Sequence, residues 1–265
     1  GMVCFLFGNL PLFTVHPHRR GDGGRSESLN QKVLLTLKRV CKYAVKHKWL
    51  AESPAEDRKP TGKPADERDP LSEKERTELL EAVRGTRAET FVMLGLYTGM
   101  RREEILGLKW KNVDLGESAP CVKVRHTVEF IRNNQPEVRE MTKSKAGRRD
   151  IPIPPQLVEH LASLPPMGGE AHVVHDGAGG PLSYSQYRNL WKIVERRTAS
   201  PERPVGSQSV NHDMVVTISR HITPHIMRHT YITDLFRRFR GMEPGAMLEK
   251  VRYLAGHSTL QQTIN

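Results

Sequence analysis

Cysteine is scarce: Cys4, Cys41 and Cys121 are the only three in 265 residues, and they form neither a CxxC pair nor an even framework. That spacing excludes a zinc ribbon and a disulfide scaffold and points to a reducing compartment. No apolar run is long enough to span a bilayer. The stretch from Val3 to Phe13 has no basic segment ahead of it and no small-x-small cleavage pattern, so it reads as an atypical or misassigned start rather than a signal peptide. No internal repeat is visible. Negative charge is also in deficit, with 30 Asp and Glu against 41 Lys and Arg and a formal charge of +11. Such a chain is drawn to polyanions, nucleic acid first among them. Its basic residues have no Trp-rich or Leu-rich face opposite them, which speaks against a membrane surface.

The length allows one sizeable core or two small domains. Residues 1–25 read as an atypical or disordered N-terminus. From Ser26 or Ser28, the apolar positions Leu29, Val33, Leu34, Leu37, Val40, Cys41, Ala44 and Val45 recur at helical spacing, with lysines and arginines largely off that stripe. Pro54, Pro60, Gly62, Pro64 and Pro70, interleaved with charge, predict a linker over 56–69. Beyond it Ser72 to Glu75 is a capping box opening a helix. A helix from Ala88 to Tyr97, apolar on most sides, is predicted to be central, and Thr98-Gly99 ends it before a third helix from Arg101 to Leu108.

From Val122 to Phe130 apolar residues alternate as in one strand, Val138 starts a return strand, and Asp150 to Ile153 starts another, which predicts a small antiparallel sheet. Helices follow at Pro155 to Leu164 and Ser183 to Arg197, with a short strand from His172 to Asp176 between them. Residues 198–220 read as loop apart from Met214 to Ile218. A helix begins at Pro224, and Gly256-His257 marks a turn.

Singly, the polar candidates are weak. Arg101 has Glu104 three residues on, the spacing of a surface pair along a helix. His225 and His229 stand at i,i+4 like zinc ligands, but no Glu intervenes as in HExxH and no third ligand stands at a recognised spacing, so no metal site is expected. His221, before Pro224, falls outside that helix.

In order along the chain stand Thr98-Gly99-Met100-Arg101 with Glu104, then Thr142-Lys143-Ser144-Lys145 with Arg148-Arg149-Asp150-Ile151-Pro152, then His225-x-x-Arg228, then Gly256-His257. This series resembles the catalytic domain of the tyrosine recombinases, the phage integrase family, over residues 70–265. The TG-x-R-x-x-E and H-x-x-R boxes are specific when found in tandem. Residues 26–55 also resemble the C-terminal part of that family's core-binding domain. The fold implied is α+β and mainly helical, with a small antiparallel β-sheet. The activity implied is site-specific DNA strand cleavage and rejoining through a 3′-phosphotyrosine.

In that chemistry the non-bridging phosphate oxygens need fixed cationic donors, and two guanidiniums offer paired N–H groups that a lysine cannot. The resemblance makes Arg101 and Arg228 the phosphate clamp, with His225 and His257 adding donors or managing a proton. It makes Lys143 the general acid toward the departing 5′-oxygen, with Lys145 as the competing assignment, and gives Glu104 the task of holding the arginine helix. Arg101, Arg228 and Lys143 are the expected DNA contacts. No metal or nucleotide is required, because the covalent intermediate conserves the bond. Double-stranded DNA, a homotetramer on paired sites and a cytoplasmic, nucleoid-associated location in a bacterium or phage host follow from the same resemblance.

One departure matters. The family's nucleophilic tyrosine falls at position 266, and none of the six tyrosines among these 265 residues fits the pattern. The expectation is a fragment that binds DNA without cutting it; the alternative is a non-catalytic DNA-binding remnant of an integrase.

Overall fold

The structure, a computed structural model, describes residues 29–61, 69–131, 134–141, 147–199, 218 and 220–264, with the backbone of 6–7, 10–11 and 27–28. The chain divides into two compact units, Gly1–Glu67 and Arg68–Asn265.

In the first unit a short antiparallel pair, β1 (Leu6–Phe7) and β2 (Leu10–Pro11), precedes α1 (Glu27–Lys46). Lys48 takes a left-handed conformation after α1, and the chain turns back along the helix. Lys38 Nζ donates to Glu56 O at 2.6 Å and Asn30 Nδ2 donates to Thr61 O. The returning segment buries Ala55, while Cys41 and Ala44 of the helix are buried as well. Leu29, Val33, Val40 and Tyr43, on the adjoining part of the stripe, are exposed.

The second unit is built around its most apolar helix. After α2 (Glu73–Val83), capped by Ser72 and Glu75 as the sequence predicts, comes α3 (Glu89–Thr98), with Phe91, Val92, Met93, Leu94 and Leu96 all buried. Helix α4 (Arg102–Gly107) follows, then a 3-10 turn (Trp110–Asn112). Next come the strands β3 (Val113–Asp114), β4 (Cys121–Val124), β5 (His126–Phe130), β6 (Pro136–Glu140) and β7 (Arg149–Pro152). The remaining helices are α5 (Pro155–Ser163), α6 (Tyr184–Arg197), α7 (Pro224–Arg238), α8 (Pro244–Ala255) and α9 (Gln261–Ile264). A mainly helical α+β fold with small antiparallel sheets results.

Helix α7 packs directly on α3. A Cβ on Gly95 would lie 2.7 Å from Met227 Cε, so the small residue sets how closely the two helices approach. The start of the unit is tied to the same helix, with Leu71 N donating to Thr230 Oγ1 at 2.9 Å, and to the segment before it, with Arg220 joining Glu75 at 2.8 Å.

Two strand expectations are corrected. Residues from Val122 to Phe130 form two strands, not one. β4 pairs with β7 in a three-stranded sheet of order β3-β4-β7, whereas β5 pairs with β6 in a separate two-stranded sheet. The break is at Arg125, whose guanidinium holds Val124 O, Arg149 O and the Asp150 carboxylate. Just beyond, α4 presses on the chain so closely that a Cβ on Gly107 would sit 2.7 Å from His126 O. Alternation reports faces, not partners, and cannot reveal such a change of sheet. The segment from His172 to Asp176 is not a strand either. It makes isolated bridges, Lys109 with His172 and His175 with Pro181, and His172, Val173 and Val174 are buried in succession rather than alternately. Of the stretch from Met214 to Ile218, only Ile218 lies within the described residues, and it is buried.

Candidate functional site

Three segment ends converge. The first is the end of α3, where Gly99 is left-handed with φ +60° and ends the helix. A Cβ there would lie 2.2 Å from the Tyr231 ring of α7, so the residue must be glycine for space as well as for conformation. The chain then extends through Arg101, which caps the start of α4. Glu104, in the first turn, accepts from Arg101 N at 2.8 Å and from Arg101 Nη1 at 2.9 Å.

The second end is the start of α7. Thr223 Oγ1 accepts from Ile226 N at 3.2 Å and Pro224 occupies the first turn. His225 and Arg228, three residues apart, therefore share a face. His225 is exposed; Arg228 is only 5% exposed. The third end is the close of α8 at Gly256, again left-handed with φ +65°. His257 follows, its Nδ1 3.0 Å from Thr263 Oγ1 of α9.

A helix leaves its last carbonyls without partners inside the helix, and its dipole makes that end negative. Here three consecutive carbonyls at the end of α8 each receive a guanidinium. Arg149 Nε donates to Leu254 O at 2.9 Å, Arg228 Nη2 to Ala255 O, and Arg101 Nη2 to Gly256 O at 2.9 Å. Arg228 Nη1 also donates to Gly99 O at 2.6 Å, which ties the end of α3 to the end of α8. Below them Arg149 grips Glu104 with a two-pronged pair, Nη1 to Oε1 at 3.0 Å and Nη2 to Oε2 at 2.7 Å, both side chains almost completely buried.

Three guanidiniums surround one carboxylate, so positive charge is left over at a partly enclosed place. Burial works to raise the Glu104 carboxyl, but the hydrogen bonds and charge of Arg149, together with Arg101, outweigh it and hold the group at about 2. Burial, and then the charge of Arg101, pull the Arg228 guanidinium down to about 9. Burial and the charges of Arg228, Arg101 and Arg149 lower the His257 imidazole to about 4, so it is neutral at physiological pH. Among the described residues, Arg228 has carbonyl partners and no carboxylate ion pair. A buried cation so placed is stabilised by an incoming anion.

These groups line a cleft of about 550 Å³, with Arg101, His225, Arg228 and His257 around it and Gln262 at its α9 edge. The structure thus brings together four of the residues singled out in the sequence, with Glu104 packed beneath Arg101. Lys143 and Lys145 lie outside the described residues. His229 does not line the cleft; its ring meets His225 edge to face, with centroids 5.4 Å apart. His221 is exposed.

Two arginines inside the sequence boxes have roles that the boxes do not reveal. Arg102 lies over the Tyr187 ring at 5.4 Å and the Phe130 ring at 6.0 Å, and it is bonded to Glu103. Tyr187 therefore reaches the cleft, but it is buried and engaged with Arg102. The other is Arg149, which stands in the stretch from Arg148 to Pro152 but was given no role there. Its signal was present in the strand parity, because Arg149, Ile151 and Ile153 alternate on the inward side of the sheet.

The comparisons with known proteins agree with this geometry. The sequence profile of the phage integrase family matches residues 70–265. The "tyrosine recombinase XerC-like" protein of Caldanaerobacter subterraneus subsp. tengcongensis is 24% identical over 270 residues, covering 91% of this chain and 62% of that protein. "Tyrosine recombinase XerD" of Staphylococcus aureus is 24% identical over 258 residues, covering 91% of this chain and 72% of that protein. The chain thus spans about six-tenths of the XerC-like relative's length. The fold matches the structure of the Tn1549 transposon integrase in complex with transposon right end DNA, with a TM-score of 0.67 and 21% identity over 91% of this chain and 75% of that one. A family profile that accounts for everything from Pro70 onward leaves one assignment for the domain that carries the cleft, and the chain belongs to the phage integrase family.

Proposed function

We propose that this chain is the catalytic part of a site-specific DNA recombinase that breaks and rejoins strands through a 3′-phosphotyrosine. The observation that carries the proposal is the buried Arg228, held by two main-chain carbonyls at the edge of a cleft that Arg101 also lines. Both guanidiniums are fixed before any ligand arrives, so a phosphodiester meets preset donors and little reorganisation is needed as charge builds on its non-bridging oxygens. Neutral His257, with Nδ1 engaged by Thr263, keeps a ring nitrogen for the same oxygens or for a proton. His225 stands at the open side of the cleft. Lys143, with Lys145 as its competitor, is the proposed general acid, and Glu104 holds the Arg101 helix in place.

The nucleophile of the family pattern falls at position 266. Tyr187 is engaged with Arg102, Tyr231 is buried with burial pushing it to about 12, and the Tyr253 hydroxyl faces Asp150 N at 3.2 Å. These 265 residues by themselves are therefore proposed to hold a DNA strand without cutting it. Double-stranded DNA is the proposed partner, and a homotetramer on paired sites the proposed assembly, acting in association with the nucleoid.

A nicked suicide substrate tests the reading. The 265-residue chain is expected to bind it without a covalent adduct, and the chain continued through its natural residues from position 266 is expected to trap one. Failure of the continued chain to form an adduct on its own recombination site would favour the non-catalytic remnant. An adduct from the 265 residues alone would overturn the assignment of the nucleophile.

A further inference from the structure

We propose that Arg149 is a positioning residue of the phosphate site: it sets Arg101 through Glu104, and it sets the turn that carries His257 through the Leu254 carbonyl. The role rests on the phosphate-site reading of the cleft, although Arg149 is not among the residues that line it. Its side chain occupies an inward position of β7, where the next inward position holds Ile151 and the residue just past the strand, Ile153, is buried too. An arginine in such a place loses its hydration entirely, a cost met only if every edge of the guanidinium finds a partner. Each edge does. Nη1 and Nη2 lie on the two Glu104 oxygens, Nε lies on Leu254 O at 2.9 Å, and Nη1 also approaches Gly147 O at 3.4 Å.

The consequence passes along two routes. Glu104 has both oxygens held from below by Arg149, and each oxygen also accepts from Arg101, one from its backbone N–H and one from its side chain. Fixing the carboxylate fixes the guanidinium that faces the cleft. On the other route, Leu254 O is the first of the three capped carbonyls. Ala255 O and Gly256 O, bonded to Arg228 and Arg101, follow directly, and His257 is next. One buried fork thus references a guanidinium and an imidazole of the site to the same strand. Lysine keeps the charge but has no planar fork, so it cannot hold both Glu104 oxygens and Leu254 O together. Sub-ångström placement of such donors is what a preorganised site depends on.

The test is Arg149→Lys in the full chain with ¹⁵N-labelled histidine, following the His257 ring nitrogens against pH with and without inorganic phosphate. The charges near that ring include Arg228, Arg101, position 149 and His229, with the Arg252 guanidinium donating to His257 O at 3.3 Å, and Arg149→Lys leaves their number unchanged. A shift in the variant therefore reports geometry rather than charge. The expected result without phosphate is a rise of the His257 midpoint by about one pH unit, tenfold in the protonation constant, as the released turn lets water reach the ring. With phosphate, the wild-type midpoint is expected to rise, and the variant to bind phosphate about tenfold more weakly. A His257 midpoint and phosphate affinity within about twofold of wild type in R149K would refute the role of Arg149. Phosphate that leaves wild-type His257 unmoved refutes the phosphate-site reading instead. Should Arg149→Lys fail to fold, Arg149→Met combined with Glu104→Leu is compared with Glu104→Gln, which keeps Arg149: phosphate binding about tenfold weaker in the double variant supports the role, and affinities within about twofold refute it.

Discussion

Two glycines offer a matched test of how the site is held to the core. Gly85, with φ +70°, and Gly99, with φ +60°, both adopt the left-handed conformation, so alanine at either incurs the same backbone strain, about 1–2 kcal/mol. They differ in what a Cβ would meet. Nothing lies within 4 Å at Gly85, whereas at Gly99 the new carbon would fall 2.2 Å from Cδ1 and 2.8 Å from Cγ of Tyr231. Tyr231 is buried against α3 and cannot swing into solvent, so α3 and α7 must move apart, and overpacking of this kind adds roughly 1–3 kcal/mol. Gly99→Ala should therefore lose about 2–5 kcal/mol and Gly85→Ala about 1–2, read from urea midpoints at constant m. Gly99 O also accepts Arg228 Nη1, so the displacement should carry into the cleft and weaken phosphate binding in Gly99→Ala but not in Gly85→Ala. Equal destabilisation of the two variants, within about 0.5 kcal/mol, would refute the claim that Tyr231 packing dictates glycine at position 99.

Other outcomes follow from the same geometry. Glu104 sits at about 2 in the folded chain, below its unfolded value, so its contribution is present above roughly pH 4.5 and fades as pH falls toward 2. The loss is on the order of 3 kcal/mol; Glu104→Gln should flatten that part of the stability–pH curve measured by urea unfolding, and an unchanged slope would count against the buried pair. Arg228→Ala, in a chain continued through position 266, should cost roughly 10²–10³ in single-turnover cleavage and far less in DNA affinity, since one transition-state donor is lost among many phosphate contacts; equal losses would reduce Arg228 to a generic contact. DNA affinity itself should fall with salt at a log–log slope of about 0.9 per phosphate contacted, measured by fluorescence anisotropy between low and moderate salt. Ser72→Ala removes one half of the capping box at the start of α2 and should lower stability by about 1 kcal/mol in the same urea assay.

How much of this was legible in the sequence depends on the kind of signal. Most helices were readable, because α3 declares itself by unbroken apolarity and α2, α6 and α7 start at serine or threonine caps, whereas α8 and α9 were not read beyond the turn at Gly256-His257. The four cleft residues were readable as an ordered series of boxes, since Arg101, His225, Arg228 and His257 keep their family spacing to local landmarks such as Thr98-Gly99 and Gly256. Strand partnership was not. The switch at Arg125 from β7 to β6 depends on α4 pressing against His126, a contact between residues 107 and 126 that no local pattern encodes. Arg149 was half readable: its inward parity could be counted, but an inward arginine makes sense only once Glu104 and Leu254 are known to meet there. Glu104 was assigned to Arg101 alone, because the i,i+3 pair is local and the stronger partner, from a strand 45 residues on, is not.

The end of α8 explains why those long-range contacts matter to the chemistry. A phosphate clamp needs guanidiniums that are already oriented, yet an arginine side chain is long and loses considerable rotamer entropy when fixed. Of the two arginines proposed as the clamp, Arg228 is oriented by carbonyls, Gly99 O and Ala255 O, and Arg101 by Gly256 O together with the Glu104 carboxylate. Carbonyl acceptors fix direction without cancelling the charge, so the field that attracts an anion survives the anchoring. The Glu104 carboxylate is held in a two-pronged pair by Arg149, and that second cation leaves the guanidinium cluster with surplus positive charge. A helix end supplies three such acceptors at fixed spacing, which is why the left-handed glycine that closes α8 is as much a part of the site as the histidine that follows it.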